Sequence, residues 1–133
     1  MTNESATRDD LASDLLMALL AVNSWTLEQV GRLYPSLQQH RLFDVAAVSR
    51  LDVDEVRDRL TAAGYKRGPV LGGMMALRMH EVALALVEGG AQLLADFEAS
   101  GNTTDAREFL LTLSGVGPVV VENYFLLRSS SRS

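Results

Sequence analysis

The chain has 133 residues, a formal net charge of −5, 47% hydrophobic and 22% charged residues, and no cysteine. That length buries one hydrophobic core, and the composition is that of an ordinary globular domain. The missing cysteines exclude a disulfide framework, a cysteine-ligated zinc site and a cysteine-held iron–sulfur cluster, while the acidic balance weighs against strong non-specific nucleic-acid binding.

The start, MTNESATRDD, is polar and acidic, unlike a signal or transit peptide. Residues 1–9 are read as a disordered tail, 10–128 as one helical domain and 129–133 as a second disordered tail. Leu11, Leu15, Leu16, Leu19, Leu20 and Val22 recur at helical spacing and predict a first helix buried around much of its girth. The apolar run over residues 15–22 is too short to span a bilayer, so no membrane partner is expected and the chain is read as cytoplasmic. Thr26 and Gln29 have capping-box spacing and open a second helix, expected to stop before Pro35. Leu42, Phe43, Val45 and Val48 predict a short third helix. Asp52 and Glu55 form another capping box, for a helix through Val56 and Leu60 that Gly64 closes.

Beyond a loop at 64–69, a long helix is predicted over residues 69–88, ended by Gly89 and Gly90. Gly72 and Gly73 inside it are weak helix formers, which close packing against a neighbour would explain. A helix over 91–99 follows, and Asp105 with Glu108 is read as capping another over 106–113. Pro118 then begins the last helix in its preferred first position. No strand pattern competes, so the fold class is all-α, a bundle of about six to eight helices.

The most specific stretch is residues 110–125. Leu110 and Leu113 share a helix face, Gly115 and Gly117 flank an apolar Val116, and Tyr124 and Phe125 close the following helix. Glycines reach backbone angles that other residues avoid, and Val116 is placed to plug the gap between the two helices. The amides of such a turn then point outward as an anion site for one phosphate. Pro118 has no amide to offer, so Gly117, Val119 and Val120 are the expected donors. Gly-Val-Gly also serves simply to join two packed helices.

This stretch resembles the helix-hairpin-helix of DNA-repair proteins over its whole length, with Val121 where that family usually has alanine. The segment 15–26, the Gly64-Tyr-Lys-Arg67 loop and residues 105–113 are similar, in order and spacing, to endonuclease III-like DNA glycosylases. The resemblance covers about residues 11–128 and implies a six-helix barrel with a helix-hairpin-helix near the C-terminus. It also implies that Asn23, Ser24 and Trp25 occupy the loop with which such enzymes probe a duplex where a base is flipped. Two catalytic groups of the family are not expected here. Val119 stands where bifunctional members carry the Schiff-base lysine, and the position of the family's aspartate falls beyond Ser133.

No other chemistry is selected. His80 and Glu81 are adjacent and point apart on a helix, His40 is distant in sequence, and Glu122 reads as a solvated helix residue. The acids at 52, 54, 55 and 58 are explained by capping and the helix dipole. No catalytic residue, metal or cofactor is expected. The leading functional expectation is a non-catalytic glycosylase-like module that binds the backbone of duplex DNA weakly through the hairpin. Alternatives are a protein-interaction or oligomerisation domain, and a glycosylase-fold enzyme completed by a partner chain or turned to small-molecule chemistry. Lacking a second domain, the barrel is expected to expose apolar surface near Leu11, Tyr124 and Leu127 and to form a homodimer or bind a partner protein.

Overall fold

The computed structural model describes residues 3–22 and 25–132, and those residues form helices joined by short turns with no strand among them. The elements are α1 (Asn3–Leu20), α2 (Leu27–Gln39), α3 (Val45–Arg50), α4 (Val53–Ala63), α5 (Pro69–Ala85), a π turn (Leu86–Gly90), α6 (Ala91–Ala99), α7 (Thr103–Leu111) and α8 (Pro118–Arg132). The helical assignment therefore extends into both segments expected as tails, beginning at Asn3 and ending at Arg132.

Helix α1 is the centre of the molecule. Leu11, Ala12, Leu15, Leu16, Met17, Ala18, Leu19, Leu20 and Ala21 are all buried, and α8, α6, α2 and α5 pack around them. A helix apolar on every side has no solvent face to offer, so its neighbours must enclose it. Helix α5 packs on α4 and α3, while α6, α7 and α8 close the opposite side.

Several helix ends differ from the sequence reading, each for a local reason. Helix α2 runs through Pro35 to Gln39. A proline inside a helix removes one amide and crowds the carbonyl four residues earlier, here that of Gly31. The helix tolerates it because Leu37 beyond it is fully buried, so tertiary packing outweighs the local penalty. The capping box of Thr26 and Gln29 is present in both directions. At α4 only half of one forms: Asp52 Oδ1 accepts from the Glu55 amide, and the Glu55 carboxylate turns instead to Arg59. Asp44, not an apolar residue, starts α3 by accepting from the Ala47 amide. For α7 the cap is Asn102, whose Oδ1 accepts from the Asp105 amide, rather than Asp105 with Glu108. The long helix does end at the glycines: Gly89 leaves helical geometry at φ +124° and ψ −12°, and the chain kinks there before α6.

The helical run Val70–Ala99 is long and apolar enough, by length and composition alone, to cross a membrane. It is a longer apolar run than the one at 15–22 singled out from the sequence, and one side of it packs in the core. The pair Gly72 and Gly73 is not explained by close packing within the chain. A β-carbon at Gly72 would only touch Arg57 at 4.0 Å, and one at Gly73 would meet nothing within 4 Å. Leu11 and Tyr124, expected at an exposed apolar surface, are buried, and Leu127 is half-buried against the core.

A buried ionic cluster ties three elements together. The Arg128 guanidinium on α8 donates to Asp14 on α1 at 2.8 Å and to both oxygens of Glu98 on α6 at 2.8 and 2.7 Å. Both carboxylates, the Glu98 pair first, hold the Arg128 pKa above its ordinary value against the opposing effect of burial. Arg107 donates to Glu122 at 2.7 Å and lies over the Phe125 ring. Neither Arg107 nor Arg128 lines the concavity at the turn before α8, where both were candidates to assist a phosphate.

Candidate functional site

The turn between α7 and α8 is built by two residues with opposite demands. Gly115 adopts φ +82°, a left-handed conformation that side chains other than glycine avoid. Val116 turns inward and is buried in the core with Val120 and Val121, while Leu113 and Phe125 pack against the same group. The Val116 amide closes the turn by donating to the Leu113 carbonyl at 3.1 Å, and the Val121 amide makes the first bond of α8, to Gly117, also at 3.1 Å.

That arrangement leaves donors over. Among the described residues, no carbonyl accepts from the amides of Gly117, Val119 or Val120. Such amides at a helix start carry partial positive charge outward. They border an open concavity of about 480 Å³ lined by Val22, Arg78 and residues 115–120.

Arg78 is the cation of this concavity, and sequence reading missed it. It comes from α5, in the middle of the chain, and its side chain lies against Gly115. Among the described residues it makes no ion pair and no hydrogen bond. Nothing in the local sequence marks it, because the contact joins residues 37 positions apart.

The loop after α1 borders the same concavity through Val22. Three side chains hold the end of α1 there by satisfying consecutive carbonyls. Tyr65 Oη donates to Leu20 at 2.6 Å, Asn123 Nδ2 to Ala21 at 2.9 Å, and Arg67 Nη1 to Val22 at 3.2 Å. The Gly64-Tyr-Lys-Arg67 loop thus caps α1, which its sequence alone did not reveal. Burial pushes the Tyr65 hydroxyl up from its ordinary pKa, and the neighbouring Arg67 charge partly offsets that.

Of the three residues singled out in the loop after α1, Trp25 packs its ring on Tyr65, with centroids 4.7 Å apart and planes tilted by 48°. Its half-buried side chain lies against the core. Asn23 and Ser24 lie outside the described residues. Both histidines face backbone: His80 Nδ1 is 3.2 Å from the Val48 carbonyl and His40 Nδ1 is 2.8 Å from that of Ser36. Glu122 is engaged by Arg107. Among the described residues, no group of three or more His, Asp or Glu side chains is placed to hold a metal ion.

Comparison of the chain with protein-family models, with curated proteins and with solved structures gives no match.

Proposed function

We propose that this domain is a helix-hairpin-helix module in a barrel of the endonuclease III type, and that it holds one backbone phosphate of duplex DNA at the α7–α8 turn without acting on the bases. The observation that carries this reading is the pairing of three amides, at Gly117, Val119 and Val120, with the Arg78 guanidinium across one open concavity, none of them partnered among the described residues. A helix start with free amides attracts an anion, and a guanidinium beside it matches a phosphate in charge and geometry. The concavity is shallow and its remaining lining is apolar, which suits a phosphate at the edge of a duplex better than an enclosed small anion.

The non-catalytic part of the reading rests on Val119. Its side chain is exposed at the concavity and offers no nucleophile, acid or base. The net charge of −5 sets the expected strength. With Arg78 as the one cation among the described residues that lines the concavity, about one phosphate is neutralised, so affinity is micromolar or weaker at physiological salt. Fluorescence anisotropy with a labelled duplex, run at low and physiological salt, tests this directly. Weak binding with a shallow salt slope is expected. Absence of binding at low salt overturns the proposal.

A further inference from the structure

The two fully buried tyrosines differ in one respect. Tyr65 engages its hydroxyl with the Leu20 carbonyl and with Arg67, whereas the Tyr124 hydroxyl makes no hydrogen bond among the described residues. Tyr124 is 2% exposed, yet no unpartnered side-chain oxygen or nitrogen among the described residues is sealed from solvent. Its hydroxyl therefore keeps a narrow access, through the cavity that Tyr124 lines. Buried hydroxyls are ordinarily partnered, and a phenylalanine would fill the same core volume. Packing alone does not call for this oxygen.

The cavity, about 260 Å³, lies between α6, α7 and the C-terminal half of α8. It shares no residue with the concavity at the α7–α8 turn. Leu94, Phe97 and Phe125 wall it, and Phe125 meets Tyr124 edge-on with centroids 5.3 Å apart. Buried Arg128 lines it as well, its guanidinium already shared by Asp14 and Glu98. One water would satisfy the hydroxyl but take up only about 30 Å³, leaving the ring walls uncovered. Small-molecule sites begin at about 300 Å³, so the space suits one ring or a fused pair.

We infer that this cavity binds a small neutral aromatic molecule, its ring between Phe97 and Phe125 and a carbonyl-type acceptor on the Tyr124 hydroxyl. Aromatic walls give a flat ring edge and face contacts that an aliphatic chain does not match. Burial raises the Tyr124 pKa above its ordinary value, against the Arg128 charge, so at neutral pH the hydroxyl is a donor and calls for an acceptor. A third carboxylate there would compete for the guanidinium that two already share, which favours a neutral acceptor over an anion.

The test needs no nucleic acid, so it succeeds or fails independently of the function proposed above. Acetophenone, toluene and benzoate present one ring with a neutral acceptor, with none and with a charged one. Each is titrated into the isotopically labelled whole chain and followed by NMR. Acetophenone should bind in the about millimolar range, shifting the signals of Phe97, Thr103 and Ala106 and not those of Gly115 and Gly117. Toluene and benzoate should bind about tenfold more weakly. Tyr124→Phe should lower acetophenone to the affinity of toluene and leave toluene unchanged, whereas a merely structural hydroxyl would affect both alike. Should that variant not fold, the order of the three probes on the parent chain decides alone. Equal binding of all three overturns the inference, as do shifts centred on the α7–α8 turn. Absence of acetophenone binding overturns it too, since the cavity then holds water only.

Discussion

The Arg78 side chain occupies the space that a β-carbon on Gly115 would need: that carbon would come within 2.6 Å of Arg78 Cγ and 2.8 Å of Cδ. The left-handed turn and the cation beside it are thus one unit. Gly115 is required twice, once for its φ of +82° and once to admit Arg78. Arg78→Gln should therefore weaken duplex binding and lower the salt slope by about one, as expected for one lost phosphate contact. Gly115→Ala should weaken binding too, while leaving net charge unchanged, provided circular dichroism shows a folded protein. Binding by a folded Arg78→Gln variant at parental strength and slope would remove Arg78 from the mechanism.

Catalysis is expected to be absent at Val119. Incubating the protein with an abasic duplex and borohydride should trap no covalent adduct, since a Schiff base requires an amine where this chain has an isopropyl group. Detection of an adduct by mass spectrometry would overturn the non-catalytic reading.

The cluster of Arg128, Asp14 and Glu98 predicts an asymmetric response to mutation. Arg128→Met removes the cation but leaves two carboxylates facing the same site, and should destabilise the fold by about 3–5 kcal/mol. Adding Asp14→Asn and Glu98→Gln to that variant should recover part of the loss. Chemical denaturation of the single and triple variants measures both, and equal stabilities would show that the charges are not coupled.

Two buried tyrosines set an alkaline limit. Burial raises the pKa of Tyr65 and of Tyr124 above the ordinary value of 10.0. Above about pH 10 the unfolded chain loses these protons while the folded chain keeps them, so stability is complete below that pH and falls as pH rises through the folded values. Tyr124→Phe should flatten the fall in melting temperature between about pH 10 and 11.5. An unchanged alkaline slope would assign the loss to other groups.

Tyr65→Phe probes a different property of the same kind of residue. It deletes the donor to the Leu20 carbonyl and the acceptor for Arg67, and should cost about 1–3 kcal/mol at neutral pH. Because the end of α1 borders the concavity through Val22, duplex binding should weaken in the same variant. Full stability would mean that water replaces the hydroxyl without loss.

What the sequence determined by itself were the features with a short range. The all-helical class, the buried girth of α1, the capping box of Thr26 and Gln29, the left-handed Gly64 and the inward Val116 depend on residues a few positions apart. Where a local signal was outweighed, the sequence misled. Pro35 looked like a helix end until the packing of Leu37 carried α2 past it, whereas Gly89, with φ +124°, does break the helix where the sequence indicated. An acid among leucines, Asp14 on α1, was the one sequence trace of the ionic cluster, but the arginine it pairs with, Arg128, stands 114 residues away. Only tertiary structure decided which arginine reaches the α7–α8 turn. Arg107 and Arg128 are near it in sequence but spend their charge on Glu122, Asp14 and Glu98, whereas Arg78 arrives from α5. The reason is physical: helical periodicity fixes which face a side chain occupies, while the packing of helices against one another fixes what that face meets.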